Sequence, residues 1–170
     1  MVRVAVDGMG GDHGPSVIVE GVVMAANDFK HLEIVLVGQQ DILKAELNKH
    51  KVLGGKITIV EATEVVGMGE TPVAALKKKK NSSISICVDL LQKKEVDAAM
   101  SAGNTGAMVA ASLLNLGMLP GVKRPGIAIT IPTLHGMCVT LDVGANLNPS
   151  AYELFQYAIN RSRAIGNAAV

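Results

Sequence analysis

Tryptophan is absent, and the 170 residues hold only two Tyr and two Phe. Val, Ile, Leu, Met and Ala must therefore fill the core. Cysteine is nearly as scarce: Cys87 and Cys138 lie in apolar runs, where each reads as a small buried hydrophobe rather than a nucleophile. Two such cysteines make no disulfide framework, and no signal sequence is evident, so a reducing cytosol is expected. The formal charge is only +1, which excludes a strong global field for nucleic acid or membrane. No apolar run approaches the roughly 18 residues that a spanning helix needs. The Gly-x-Gly-x-x-Gly spacing is missing around Gly8, Gly10 and Gly11, and no acidic residue closes the second strand. A nicotinamide site is disfavoured. Zinc and calcium spacings are also missing, so no metal and no cofactor is expected. Ser101 lacks a Gly-x-Ser-x-Gly elbow, so the sequence supports no covalent intermediate.

What remains is a chain that is 49% hydrophobic with 18 glycines. That composition suits one domain of buried strands joined by tight turns. Val2–Asp7 reads as a first strand, followed at once by the glycine-rich Gly8–Pro15 and a helix over 16–27. Leu32–Val37 and Lys56–Glu61 read as further strands, with a helix over 41–49 between them. The segment 62–70 has little periodicity and reads as a loop. Thr71 can cap the next helix and Pro72 can hold its first position. Its end carries Lys77-Lys78-Lys79-Lys80, four adjacent cations that a helix spreads over all its sides. A helix over 84–94 and a strand over 96–100 follow.

The stretch from Ala98 to Ala111 organises the chain. It reads as a strand end, the polar turn Ser101-Ala102-Gly103-Asn104-Thr105-Gly106, and an apolar helix from about Thr105 to Leu116. Free N–H groups at such a helix start suit a phosphate or a developing oxyanion. Ile127–Thr133 and Met137–Val143 read as an antiparallel hairpin, which makes the sheet mixed. Pro149 opens a last helix. Polar clusters follow four strands: Asp7 to His13, Gly103 to Thr105, Thr130 to Thr133, and Asp142 to Asn146. In open α/β sheets, ligands bind beyond the carboxyl ends of parallel strands. Asp142 and Asn146 are placed inside that crevice. Thr133 is less secure, because one hairpin end must point away. Asp12-His13 is a candidate proton-transfer pair, although Asp12 can equally cap a helix. His31, His50 and His135 read as surface residues.

Val4-Ala5-Val6-Asp7-Gly8-Met9-Gly10-Gly11-Asp12-His13-Gly14-Pro15 resembles the opening of PlsX-type phosphate acyltransferases. Gly8 stands where that family usually has Ala. The resemblance continues in order through Lys77-Lys78-Lys79-Lys80-Asn81-Ser82-Ser83, Ser101-Ala102-Gly103-Asn104-Thr105-Gly106-Ala107, Arg124-Pro125, Thr130-Ile131-Pro132-Thr133 and Leu141-Asp142-Val143-Gly144-Ala145-Asn146. It implies a three-layer α/β/α fold with a mostly parallel mixed sheet, like isopropylmalate dehydrogenases and phosphotransacetylases. It also implies a cytoplasmic homodimer in phospholipid synthesis, with possible contact to the membrane or a downstream acyltransferase. The implied reaction moves an acyl group from acyl-acyl-carrier protein to inorganic phosphate. No cofactor is implied.

On this resemblance Asp12, His13 and Asn104 are the candidate catalytic residues. Gly10, Gly11, Ser101, Gly103, Asn104 and Thr105 are candidates for phosphate or oxyanion binding. Asp7, Thr133, Asp142 and Asn146 would line the substrate pocket. Lys77, Lys78, Lys79 and Lys80 would dock an acidic carrier protein. Family chains are roughly twice as long, so residues 1–159 are expected to form an incomplete acyltransferase domain, with 160–170 a divergent or truncated tail. Two other readings stand beside this one. One is a non-catalytic carrier-protein-binding or membrane-associated module. The other is a phosphate acetyl- or butyryltransferase using coenzyme A, against which the Asp7–His13 opening argues.

Overall fold

A computed structural model describes residues 1–118, 120, 122, 125–134, 136–142 and 148–168, with side chains described as far as 159. The chain divides into two compact units, Met1–Gly117 and Met118–Val170. Position 159/160 lies within the helix Ala151–Ala168.

The first unit begins with β1 (Val2–Asp7), α1 (Pro15–Asp28), β2 (Leu32–Gly38), α2 (Gln40–Leu47) and β3 (Lys56–Glu61). It continues through α3 (Pro72–Lys78), α4 (Ser83–Gln92), β4 (Ala98–Met100) and α5 (Thr105–Leu116). All four strands are parallel, in the order β3-β2-β1-β4. The register pairs Val6 with Leu36 on one side and with Met100 on the other.

Alternation along the strands sorts the core into layers. Val6, Ile34 and Leu36 point to one face and pack with Val19, Val22, Val23 and Ala26 of α1 and Leu43 of α2. The α1 residues follow the i, i+3, i+4, i+7 spacing of a helix with one apolar stripe. Ala5, Val35 and Val37 point to the opposite face and pack with Cys87, Ala62 and Val96. A third cluster joins the helices of that second face through Leu76, Ile84, Val88, Ala107 and Ala111. Strands buried on both faces explain why β1 and β2 read as near-continuous apolar runs. Cys87 lies on α4, within the helix expected over 84–94, and burial, then the nearby Asp7 carboxylate, push its thiol well above the usual range. That supports an inert core cysteine.

The second unit holds β5 (Ala128–Thr133), β6 (Gly136–Leu141) and α6 (Ala151–Ala168). β5 and β6 pair antiparallel in full register, from Ala128 with Leu141 to Thr133 with Gly136. The hairpin was expected to enter the main sheet. Among the described residues it instead forms its own two-stranded ladder, and the four-stranded sheet is wholly parallel. Ser150 and Glu153 form a reciprocal cap on α6. The Ser150 N–H donates to Glu153 Oε2 at 2.6 Å, and the Glu153 N–H donates to Ser150 Oγ at 3.3 Å. No helix among the described residues is long and apolar enough to cross a membrane.

Leu36 is fully buried at the centre of the sheet, whereas Leu53 is 72% exposed. Leu36→Ala should cost about 2–5 kcal/mol in urea unfolding. Leu53→Ala should stay within about 0.5 kcal/mol of the parent.

Candidate functional site

The strand order places β1 between β2 and β4, and the chain leaves β1 toward β2 through α1. The crevice between the carboxyl ends of β1 and β4 is therefore a topological switch point, where open parallel sheets bind ligands. Two loops meet there. One follows β1 and contains Gly8–Gly14; the other follows β4 and contains Ser101–Asn104.

A buried carboxylate joins the loops. Asp7 is only 1% exposed. Its Oδ1 accepts from the Met9 N–H at 3.0 Å, and its Oδ2 accepts from the Ser101 hydroxyl at 2.7 Å. Ser101 Oγ in turn accepts from the Gly103 N–H at 3.0 Å. A carboxylate removed from water is tolerated only with such donors. Above this relay the two backbones nearly touch. A Cβ on Gly10 would lie 2.7 Å from the Gly103 nitrogen and 2.8 Å from Asp7 Oδ2. Only glycine fits there. Gly11 has φ +92° and runs beside Ala102.

These contacts revise several expected roles. Asp7 does not line a pocket; it anchors the crevice from below. The Ser101 hydroxyl and the Gly103 N–H are spent on that anchor, so neither is a spare donor for an anion. Asn104 is buried, with its side chain turned inward. Its Oδ1 caps α5 by accepting from the Ala107 N–H at 2.9 Å. Its Nδ2 faces the carbonyls of Gly67, Met68 and Glu70 at 3.1–3.2 Å. Asn104 therefore holds a loop rather than offering its amide to a ligand. Thr105 is exposed at the first position of α5. The Thr105 and Gly106 N–H groups have no intrahelical acceptor by position.

Asp12 and His13 are exposed on the loop after β1. Asp12 does not cap α1. Gly14 holds that position with φ 70°, no side chain caps the helix, and Pro15 begins it. Two helix starts, those of α1 and α5, thus follow adjacent parallel strands, and both present positive dipole ends beyond the same sheet edge.

The 62–70 loop, unassigned by sequence, forms one side of the site. Glu64 ties it to the α3–α4 turn through the Asn81 and Ser83 backbone. Ser82 caps α4 through the Ser85 N–H, so the Asn-Ser-Ser element is structural. Thr71 occupies the N-cap of α3 without a side-chain capping bond, contrary to expectation.

The lysine run also divides. α3 ends at Lys78, so Lys79 falls at its C-cap and turns inward. Its ammonium donates to the Val65 carbonyl at 2.7 Å and to the Glu70 carboxylate. Glu70 Oε1 also accepts from the Gly67 N–H at 2.8 Å. Lys79 is therefore partly buried, while Lys77, Lys78 and Lys80 are exposed.

In the second unit, Thr133 and Asp142 lie at opposite ends of the hairpin. The Thr133 hydroxyl donates to the Gly136 carbonyl at 2.9 Å, whereas the Asp142 N–H donates to the Ile127 carbonyl at 2.7 Å. Six residues of strand separate them, roughly 20 Å at 3.3–3.4 Å per residue. The two cannot line one small pocket. Asn146, Arg124 and His135 lie outside the described residues. No group of three His, Cys, Asp or Glu among the described residues is arranged to hold a metal.

Comparison with known proteins places this geometry. A family model described as "Fatty acid synthesis protein" matches residues 2–163. A phosphate acyltransferase from Thermoanaerobacter pseudethanolicus is 45% identical over 158 residues, 93% of this chain and 46% of that protein. One from Geobacter sulfurreducens is 48% identical over 158 residues, 93% of this chain and 45% of that protein. The chain spans about half the length of the curated relatives it matches. Among solved structures, a phosphotransacetylase from Streptococcus pyogenes superposes with a TM-score of 0.64 at 21% identity, over 93% of this chain and 51% of that one. That likeness fixes the fold as three-layer α/β/α with a mostly parallel sheet.

Two outcomes check this construction. Ser101→Ala leaves Asp7 Oδ2 and the Gly103 N–H without their partner and should cost about 1–3 kcal/mol in chemical unfolding. The Lys79 ammonium, then the Gly67 N–H, lower the Glu70 carboxyl from its ordinary 4.5. A lowered folded value stabilises the loop above pH 4.5, and that stabilisation is lost as pH falls through the lowered value. The Gly67 amide resonance should report the transition on acidification, and Glu70→Gln should abolish it.

Proposed function

The chain belongs to the fatty acid synthesis protein family, and from that premise we propose that it supplies the phosphate-binding crevice of an acyl-acyl-carrier-protein:phosphate acyltransferase. In this reading a phosphate oxygen attacks the thioester carbonyl carbon. The C–O bond forms, a tetrahedral oxyanion develops, and the C–S bond then breaks. The carrier's thiolate leaves and takes up a proton. Phosphate is itself the nucleophile, so the protein need only align two anionic substrates and stabilise the oxyanion.

The observation that carries the proposal is the Asp7–Ser101–Gly103 relay beneath the Gly10–Gly103 contact. It sets the α5 N-terminus beside the loop that bears Asp12 and His13. The Thr105 hydroxyl and the Thr105 and Gly106 N–H groups are the donors for phosphate or the oxyanion. His13, exposed on the same loop, would orient phosphate or adjust its proton. Lys77, Lys78 and Lys80 form a local cationic patch suited to an acidic carrier protein, with a contribution that weakens as salt rises. The same reading places the protein in the cytoplasm as a homodimer.

Incubation of the chain with acyl-acyl-carrier protein and phosphate, with hydroxylamine trapping of acyl phosphate, tests the proposal. Product should require both substrates. Thr105→Val should lower kcat by roughly 10²-fold, the scale of one lost oxyanion donor. Product from acyl-coenzyme A but not from the carrier thioester would favour the coenzyme A reading. Carrier binding without product at any phosphate concentration would leave a binding module.

A further inference from the structure

The start of α5 has a wall that the reaction scheme does not explain. Segment 67–72 lies directly on the first turn of that helix. The Asn104 amide grips three of the segment's carbonyls, and a Cβ on Gly106 would meet Pro72 Cγ at 2.6 Å. The other side of the segment is held from α3. Lys79 reaches back from the C-cap to the Val65 carbonyl and the Glu70 carboxylate, and Glu70 returns to the Gly67 N–H. The segment is thus held twice, by Asn104 at the N-cap of α5 and by Lys79 at the C-cap of α3. Before α3 begins at Pro72, the only backbone hydrogen bond within the segment, among the described residues, is the turn in which the Glu70 N–H donates to the Gly67 carbonyl at 3.2 Å.

From this double grip we infer that the Lys79–Glu70 pair is a latch that sets phosphate affinity at the α5 N-terminus without touching phosphate. The inference rests on the phosphate-site reading above. If the latch opens, the Gly67, Met68 and Glu70 carbonyls withdraw from Asn104. Asn104 Oδ1 caps α5 from the same amide group, so its orientation loosens, and with it the first-turn N–H groups. Lys79 is then a positioning residue, and its effect differs from that of its exposed neighbours. A docking lysine acts on the carrier protein and is screened by salt. A latch lysine, only 30% exposed and bonded to a carbonyl and a carboxylate, acts on phosphate at any ordinary salt concentration.

Hydrogen exchange of the intact chain and calorimetry with inorganic phosphate test the latch together. Lys79→Gln should speed exchange in 65–70 while leaving the β1 and β2 amides unchanged, which shows that the variant is folded. It should weaken phosphate binding about tenfold, equivalent to about 1.4 kcal/mol, at both low and high salt. Lys79→Arg keeps a cation at the site and should restore binding to within about twofold. Unchanged loop exchange in Lys79→Gln overturns the latch. Faster loop exchange with unchanged phosphate affinity also overturns it, because the loop would then be held for no purpose at the site. Failure of the parent chain to bind phosphate contradicts the functional reading instead, and overturns the affinity role with it, while the exchange result still decides whether the pair holds the loop.

Discussion

The hydrogen bond from the Ser101 hydroxyl to Asp7 spans 94 residues of sequence and closes the crevice on which the site depends. β4 is only three residues long and contributes little ladder of its own. The buried carboxylate at the end of β1 supplies what the short strand lacks. It fixes the β4–α5 turn through one hydroxyl, and that hydroxyl fixes the Gly103 backbone. Glycine at 10 and at 103 then lets the two loops approach to backbone contact. Any side chain at position 10 would strike the Gly103 backbone or Asp7 itself. The position of the α5 dipole relative to the β1 loop follows from these few atoms.

Around that joint the molecule separates support from exposure. Asp7, Ser101, Gly103, Asn104, Glu70 and Lys79 all bond to one another or to backbone. The exposed set at the crevice is smaller: Asp12, His13, Thr105 and the first N–H groups of α5. Such a division suits a site whose nucleophile is brought by the substrate. Rigid donors at fixed positions cost little reorganisation when charge develops. No protein nucleophile is needed, and Cys87, the one fully buried thiol, is held protonated by its surroundings.

Much of the fold was legible because it is local. β1, β2 and β3 are apolar runs bounded by glycine or polar turns, and α1 carries its stripe at Val19, Val22, Val23 and Ala26. The β3 bounds and the α5 bounds agree with those read from sequence. The site was legible in outline, since the two glycine-rich turns after β1 and β4 were singled out. Their internal roles were not. Asn104, Ser101 and Lys79 looked like ligand groups because their partners lie 34–37, 94 and 9–14 residues away, beyond any periodicity. One signal was present: Asp7 follows the apolar Val4-Ala5-Val6 at the end of β1, and a carboxylate there must find donors. The Lys79 placement turns on α3 stopping at Lys78, two residues before the lysine run ends, which helix propensity does not decide.

The central claim is that phosphate binds at the crevice between the β1 and β4 ends, on the first turn of α5. Titration of the isotopically labelled chain with inorganic phosphate, followed by backbone amide shifts, tests it most directly. The account predicts saturable shifts that are largest at Thr105 and Gly106, with a second group at Gly11, Asp12 and His13. Shifts confined to Lys77, Lys78 and Lys80, with the Thr105 and Gly106 amides unmoved, would contradict it.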